Sequence, residues 1–456
     1  MSGVILSYVR PWNVEQFTFL ASQMSPGNRV VRASEHPKID EAGISRRYYL
    51  NLKRCAQEND GVPSGLLPDQ VADVIARCRL LRRLPRGEAQ RHVWAMAQAV
   101  EETLDQLAPA LIISLTIDSY VMDLLRILAG VRGIRFVAFI STFVNGCFRI
   151  SARGEPNVFG PADAALVDEL RDKLLKEDYA PAFNSKSLSN PRKSVYRRWA
   201  ANLARVPWFW MKRVTSGDYY NYHYWVSQQL SLEQLHWLPP ADPGDESWLG
   251  KLKASSRPSI FIPLQMFPEC TVDYWCQDVR VIDYYAVLDK LLDKLSSRFN
   301  VVIKEHPSVM GSRPTGFYSR LAKDPRVTVV PTYTPSNLVL KEADAVLVWT
   351  GSVGFESILR GKPVFGLAKP FYASGERFMT IDMEPDLDAM AEHIAHCQAN
   401  PISVDEQNAI LGHLASQLLR GDFINFGAWT ADNPEHRAQI EGVVASYLSV
   451  RPISAG

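Results

Sequence analysis

Four stretches in the second half of the chain gather residue types that can hold an anionic leaving group and act on the bond beside it. In Leu264-Gln265-Met266-Phe267-Pro268-Glu269 an amide is followed closely by a carboxylate. A lone loop acid is usually just solvated, but one placed after an apolar run at a sheet edge is a candidate nucleophile, base or hydroxyl acceptor, and Glu269 is so placed. Val302-Ile303-Lys304-Glu305-His306-Pro307 ends an apolar run in a cation, an acid and an imidazole. Lys304 and His306 suit a phosphate or carboxylate, and Pro307 keeps His306 extended. In Trp349-Thr350-Gly351-Ser352-Val353-Gly354-Phe355-Glu356 small residues open a helix. Unpaired N–H groups there bind phosphate, Gly351 and Gly354 permit close approach, and Glu356 lies one turn further on, within reach of a ribose. The plainer alternative is that Ser352 simply caps the helix. The fourth stretch is Gly361-Lys362-Pro363-Val364-Phe365-Gly366, followed by Lys369-Pro370-Phe371-Tyr372. None of these is a Walker A loop or a GxGxxG fingerprint, so ATP hydrolysis and hydride transfer have no motif.

Other residues carry less. Asp118 ends an apolar run in the first half and is a candidate general base. Asp386-Leu387-Asp388 is formally a DxD metal motif, but the residues around it read as a capped first helical turn. His393 and His396 have no acids spaced to complete a metal site. No metal site is expected.

These stretches must be positioned by a sheet. Val4–Val9, Arg29–Arg32, Leu111–Leu115 and Ile134–Ile140 read as strands separated by helical patterns over 67–108 and 121–128. Ser259–Pro263, Asn300–Lys304, Val327–Val330, Ala345–Trp349 and Val364–Leu367 repeat that rhythm, with helices over 280–297, 315–323, 335–342 and 352–360. Alternating strand and helix predicts parallel sheets covered on both faces, with ligands at the strands' carboxyl ends. The expected division is a Rossmann-like domain over 1–160, a helical insertion and linker over 161–250, a second Rossmann-like domain over 251–400, and C-terminal helices over 401–456 that pack back on the first domain. A boundary is expected in the Pro/Gly/Asp stretch Pro239–Gly250, and the last helices are expected to have no strand partners.

The chain has 456 residues, 46% of them hydrophobic, and 50 Lys+Arg against 49 Asp+Glu. That composition excludes disordered, collagen-like and disulfide-scaffold classes, and the near-zero net charge argues against nucleic acid as a partner. The six cysteines have neither CxxC nor zinc-knuckle spacing. The N-terminus lacks a secretory signal and no apolar run is long enough to span a bilayer, so a cytoplasmic location is expected. The even charge balance hides a segregation. From Tyr179 to Gly217 there are eight basic residues (Lys186, Arg192, Lys193, Arg197, Arg198, Arg205, Lys212, Arg213) and no acid. The remainder is left with 42 basic against 49 acidic residues. Trp199, Trp208 and Trp210 are interleaved with the bases, and Trp237 follows. Such a mixture suits an anionic inner-membrane surface or an anionic glycan or lipid-linked acceptor; a solvated helical insertion with aromatics in the core is the plainer alternative.

The order LQMFPE, KEHP, TGSVGFESILRGKPV and PFY resembles the capsule and surface-polysaccharide biosynthesis family, which includes the bacterial β-Kdo transferases, glycosyltransferases of GT-B type. The resemblance covers about 255–380, where the spacing of successive motifs makes it specific. Over 1–150 only Asp118-Ser119 and Phe148-Arg149-Ile150 are similar. It implies an α/β, GT-B-like fold: two facing Rossmann-like domains with a helical insertion between them, the second holding a nucleotide-sugar donor. His306-Pro307 matches the His-Pro motif associated with a cytidine nucleotide and the donor phosphate. Thr350, Gly351, Ser352 and Glu356 match the phosphate and ribose loop; Gly354 and Tyr372 join this donor set. Gln265 matches the Gln of a motif whose acidic member, in the β-Kdo enzymes, is an Asp thought to attack the sugar; here the nearest acid is Glu269, in a shifted frame. Lys304 or Arg377 would pair with the carboxylate of a 2-keto-3-deoxy sugar acid. The implied activity is transfer of Kdo or a related CMP-activated ulosonic acid to a surface glycan or glycolipid, with retention and without a cofactor. A nucleotide-sugar 2-epimerase and a non-catalytic polysaccharide-binding or export protein are the alternatives.

Overall fold

The computed structural model describes residues 3–57, 65–176, 179, 181, 191–215, 219–423 and 428–450. Its strands are β1 (Val4–Tyr8), β2 (Arg29–Ala33), β3 (Leu111–Leu115), β4 (Arg135–Ser141), β5 (Cys147–Ile150), β6 (Ser259–Pro263), β7 (Asn300–Lys304), β8 (Val327–Val330), β9 (Ala345–Val348), β10 (Val364–Gly366), β11 (Phe378–Thr380) and β12 (Leu419–Arg420). They form two six-stranded sheets, ordered β12-β5-β4-β3-β1-β2 and β11-β10-β9-β6-β7-β8. The second sheet is parallel throughout, and the first is parallel except where β5 meets β4 and β12. Strands such as Ile260-Phe261-Ile262 and Val301-Val302-Ile303 are apolar without alternation because helices cover both faces.

The chain divides into two compact units: 1–160 with 210–226 and 417–456, and 161–209 with 227–416. In unit 1, Phe139 packs against Phe148, Phe423 and Tyr447, so the C-terminal helix Pro434–Ser449 shares the core of the first sheet. In unit 2, the helix Tyr284–Leu295 buries Tyr284, Val287, Leu288, Leu291, Leu292 and Leu295, the spacing of one helical face, and that face joins Ile260, Ile262 and Ile303 in one core. The helical stretch 161–250 is shared between the units. Its Pro239–Gly250 portion is tied to β8: Asp242 accepts from Thr332 N and Oγ1 at 3.0 Å, and Asp245 N donates to Val329 O at 2.9 Å. A Cβ on Gly244 would fall 2.2 Å from the Cα of Pro331, so only glycine fits that approach.

Most strands fall where the apolar runs predict them. The short β5, β11 and β12 have too few residues to show a period, and the sequence reading passes over them. The expectation of partnerless C-terminal helices is corrected here, since Leu419 and Arg420 of β12 pair antiparallel with Phe148 and Cys147 of β5.

Candidate functional site

Parallel register brings the chemical residues of unit 2 to one edge. Pro263 at the end of β6 is level with Lys304 at the end of β7, and Phe261 of β6 with Val346 of β9. The loops carrying Thr350, Gln265 and His306 therefore emerge side by side from β9, β6 and β7. β6 lies between β9 and β7, which makes the β6/β9 seam the switch point, where sheets of this kind bind ligands. Gln265 bridges that seam. Its Nε2 donates to Thr350 Oγ1 at 3.0 Å and to Thr271 Oγ1 at 3.2 Å, and its Oε1 accepts from Thr350 N at 3.4 Å. Thr271 Oγ1 in turn donates to Glu269 Oε2 at 2.7 Å, which ties the candidate nucleophile to the same network.

Lys304 is buried, and that burial pulls its pKa down to about 8, with Glu305 and Asp242 opposing. His306 is pushed down to about 4, first by burial and then by the neighbouring Lys304. Its Nδ1 accepts from Ser308 N at 3.2 Å. A neutral imidazole with Nδ1 accepting must carry its proton on Nε2, so His306 offers a donor while remaining uncharged. The acid between them, Glu305, is fully buried against Arg313, a residue the sequence reading missed.

The third stretch is built differently from expectation. A Cβ on Gly351 would sit 3.3 Å from Gln265 Oε1, and one on Gly354 would sit 2.5 Å from the Tyr372 hydroxyl. The two glycines therefore make room for protein side chains. Ser352 makes no side-chain cap to the helix Val353–Leu359, so the capping alternative does not hold either. Glu356 is half-buried, and burial raises its pKa, with Arg360 opposing. Tyr372 is buried and donates to Gly351 O. Arg377 is not available to a sugar carboxylate: its Nε donates to Glu406 at 2.8 Å, and its Nη1 and Nη2 donate to Gly361 O and Asn400 O at 2.6 Å. Asp386 accepts from Asp388 N and Ala389 N, the capping arrangement read from its neighbours.

Unit 1 has its own switch point between β1 and β3. Asp118, three residues past β3, pairs through Oδ2 with Arg10 Nη1 at 2.6 Å, two residues past β1. Arg10 Nε also lies 3.4 Å from Glu35, whose other oxygen accepts from the Tyr8 hydroxyl. Burial opposes the charge of Arg10, but Asp118 and Glu35 together hold its pKa well above the ordinary value. Asp118 Oδ1 is buried and has no hydrogen-bond partner among the described residues. Tyr8, Arg10 and Asp118 line a small pocket with Asn13, Leu115 and Met122. Arg10, Glu35 and Tyr8 were missed, although Arg10 stands after β1 as Asp118 stands after β3.

The basic helix Pro191–Thr215 presents part of its predicted surface set. Arg192, Lys193, Arg197, Trp208 and Trp210 are exposed, and Lys212 is half-buried. Arg198, Trp199 and Arg213 are turned inward, which removes them from that set. Arg198 donates to Met310 O, Trp199 Nε1 donates to His236 O at 2.9 Å, and Arg213 is buried over the rings of Tyr219 and Trp225 at 4.3 and 4.7 Å. Lys186 lies outside the described residues. Among the described residues no helix is long and apolar enough to cross a membrane, and no group of three metal-ligating side chains is assembled.

Two doubly wound sheets, one parallel throughout and one parallel except at β5, each with a polar cluster at its switch point, define an α/β protein of the two-unit kind that the GT-B fold comprises. Residues 243–386 match the model of the family described as capsule polysaccharide biosynthesis protein, and through this segment the chain is related to that family, as its motifs indicated. The capsule polysaccharide modification protein LipA of Neisseria meningitidis serogroup B is 24% identical over 142 residues, 31% of this chain and 20% of that protein. LipA of serogroup A is also 24% identical, over 119 residues, 26% of this chain and 16% of that protein. The matched segment thus spans a fifth or less of these relatives. Among solved structures, Thermosulfurimonas dismutans KpsC, a beta Kdo 2,7 transferase, is similar with a TM-score of 0.33 at 13% identity, covering 77% of this chain and 89% of that one. Methanocaldococcus jannaschii UDP-GlcNAc 2-epimerase gives 0.27 at 11% identity, covering 90% and 97%.

Proposed function

We propose that this chain is a glycosyltransferase that moves a sugar from a nucleotide donor to a bacterial surface glycan or glycolipid. The observation that carries the reading is the convergence of Gln265, Lys304, His306 and Thr350 at the switch point of unit 2, inside the segment that matches the capsule family. In this reading the donor is CMP-Kdo or a related CMP-activated ulosonic acid. Lys304 supplies positive charge to the leaving phosphate and His306 donates to it through Nε2–H, so the chemistry asks for no metal. Glu269 attacks the anomeric carbon as the bond from that carbon to the phosphate oxygen breaks; the phosphate leaves with the electron pair, and an ester links sugar and enzyme. An acceptor hydroxyl then attacks the same carbon, displaces the Glu269 carboxylate and gives up its proton to a base, giving overall retention. Glu356 belongs to the ribose side of the donor site, whereas the buried Tyr372 holds the loop through Gly351 O. The enzyme works in the cytoplasm.

The test is nucleotide release from CMP-Kdo with and without an acceptor glycan. Release of CMP only with acceptor supports transfer. Interconversion of a UDP-sugar with no acceptor would establish the epimerase instead, and binding without release under either condition would establish a non-catalytic protein. Full transfer by Glu269→Gln removes the nucleophile assignment. Thermal stabilisation by CMP over UDP, GDP and dTDP, lost in His306→Ala, supports the cytidine donor; a preference for UDP overturns it.

A further inference from the structure

Unit 2 carries an apolar surface that its core does not use. Within the part of the helix Pro191–Thr215 that belongs to this unit, Val195 and Asn202 face inward and are buried. Tyr196, Leu203 and Trp208 face outward, with Tyr196 60% exposed. Tyr196 and Leu203 lie one turn before and one turn after Trp199, the residue whose indole donates to His236 O. That hydrogen bond anchors His236, the residue just before Trp237 and Leu238, to this helix. Trp237 is 94% exposed and Leu238 72%. A tryptophan and a leucine held in succession this far into solvent, next to an apolar helical row, mark a surface that meets something apolar.

The charges around it say what that is. Arg192, Lys193, Arg197 and Arg205 are exposed on the same helical segment, and the sequence from 179 to 217 contains no acid. A protein interface would be depleted in lysine at its centre, and a glycan site would offer hydrogen-bonding side chains that accept as well as donate. Aromatic and aliphatic tips fringed by cations match the headgroup level of an anionic bilayer. We propose that Trp237, Leu238, Tyr196, Leu203 and Trp208 enter the interface of an anionic membrane, with the four bases lying over its headgroups. This holds whether or not the transferase reading does, because its readout is vesicle binding.

The experiment is co-sedimentation of the full chain with vesicles of phosphatidylcholine alone and of phosphatidylcholine with a quarter phosphatidylglycerol. The expected result is binding to the anionic vesicles only, with a blue shift of tryptophan emission, weakening as salt is raised. Trp237→Ser with Leu238→Ser should lose the blue shift and bind at least tenfold more weakly with an unchanged melting temperature. Reversing Arg192 and Arg197 to Glu should cost about fivefold or more per residue. Three outcomes overturn the proposal: equal binding by the Trp237→Ser/Leu238→Ser variant, equal binding to uncharged vesicles, or loss of a dimer in that variant without any vesicle binding by the parent.

Discussion

Arg313 grips Glu305 with two parallel hydrogen bonds, Nε to Oε2 and Nη2 to Oε1, each 2.7 Å, and both side chains are fully buried. The same Nη2 donates to Gln265 O at 2.7 Å, and Glu305 Oε1 accepts from His306 N at 2.6 Å. One buried ion pair therefore ties the loop after β6 to the loop after β7. Arg313→Met leaves the Glu305 carboxylate buried without its partner, which should destabilise the fold by about 3–5 kcal/mol. Arg313→Met with Glu305→Leu should recover most of that stability but not the tether. Urea denaturation reads the first effect. Nucleotide affinity, weaker in the stable double variant than in the parent, reads the second.

His306 should stay neutral down to about pH 4, because burial and then Lys304 depress it from an unfolded value of about 6.5. Its contribution to stability is complete above pH 6.5 and is lost as pH falls toward 4, where only the unfolded chain has already taken up the proton. The nitrogen-15 shifts of the ring should show an Nε2–H tautomer at pH 7 and a midpoint near 4. A midpoint near 6.5, or an Nδ1–H tautomer, would remove His306 as a neutral donor.

How much of this the sequence shows depends on the length of each apolar run. The strands β6, β7 and β9 are apolar runs covered on both faces, so the sequence shows both them and the residues at their ends: Gln265, Lys304, His306 and Thr350. The Arg313–Glu305 pair was hidden because no local pattern distinguishes a buried arginine eight residues along from an exposed one. In sequence Gly351 and Gly354 suggest room for a ligand, whereas the side chains that crowd them are Gln265 and Tyr372, brought there only by the fold. Arg213 looks like one more surface base in sequence for the same reason. Its helical position turns it toward Tyr219 and Trp225.

Lys304 predicts a measurable proton balance. With a pKa pulled down to about 8, it is about half neutral at pH 8. An anionic nucleotide bound beside it restores the full charge, so binding should take up about half a proton at pH 8, where the CMP phosphate is already ionised. Titration calorimetry with CMP in two buffers of different ionisation enthalpy measures this directly. Lys304→Met should abolish the uptake. An unchanged uptake in that variant would mean that another group titrates.

Gly354 and Tyr372 should be coupled. A methyl group on residue 354 would lie 2.5 Å from the Tyr372 hydroxyl and 3.0 Å from Val348 Cγ2. Gly354→Ala should therefore cost about 1–3 kcal/mol by overpacking. Tyr372→Phe removes the clashing oxygen, at the expense of its hydrogen bond to Gly351 O, worth about 0.5–1.5 kcal/mol. If the hydroxyl is what demands glycine, Gly354→Ala should be milder in the Tyr372→Phe background, and the two losses should sum to more than the double variant shows. Additive losses would put the constraint on Val348, which faces the same methyl from the end of β9.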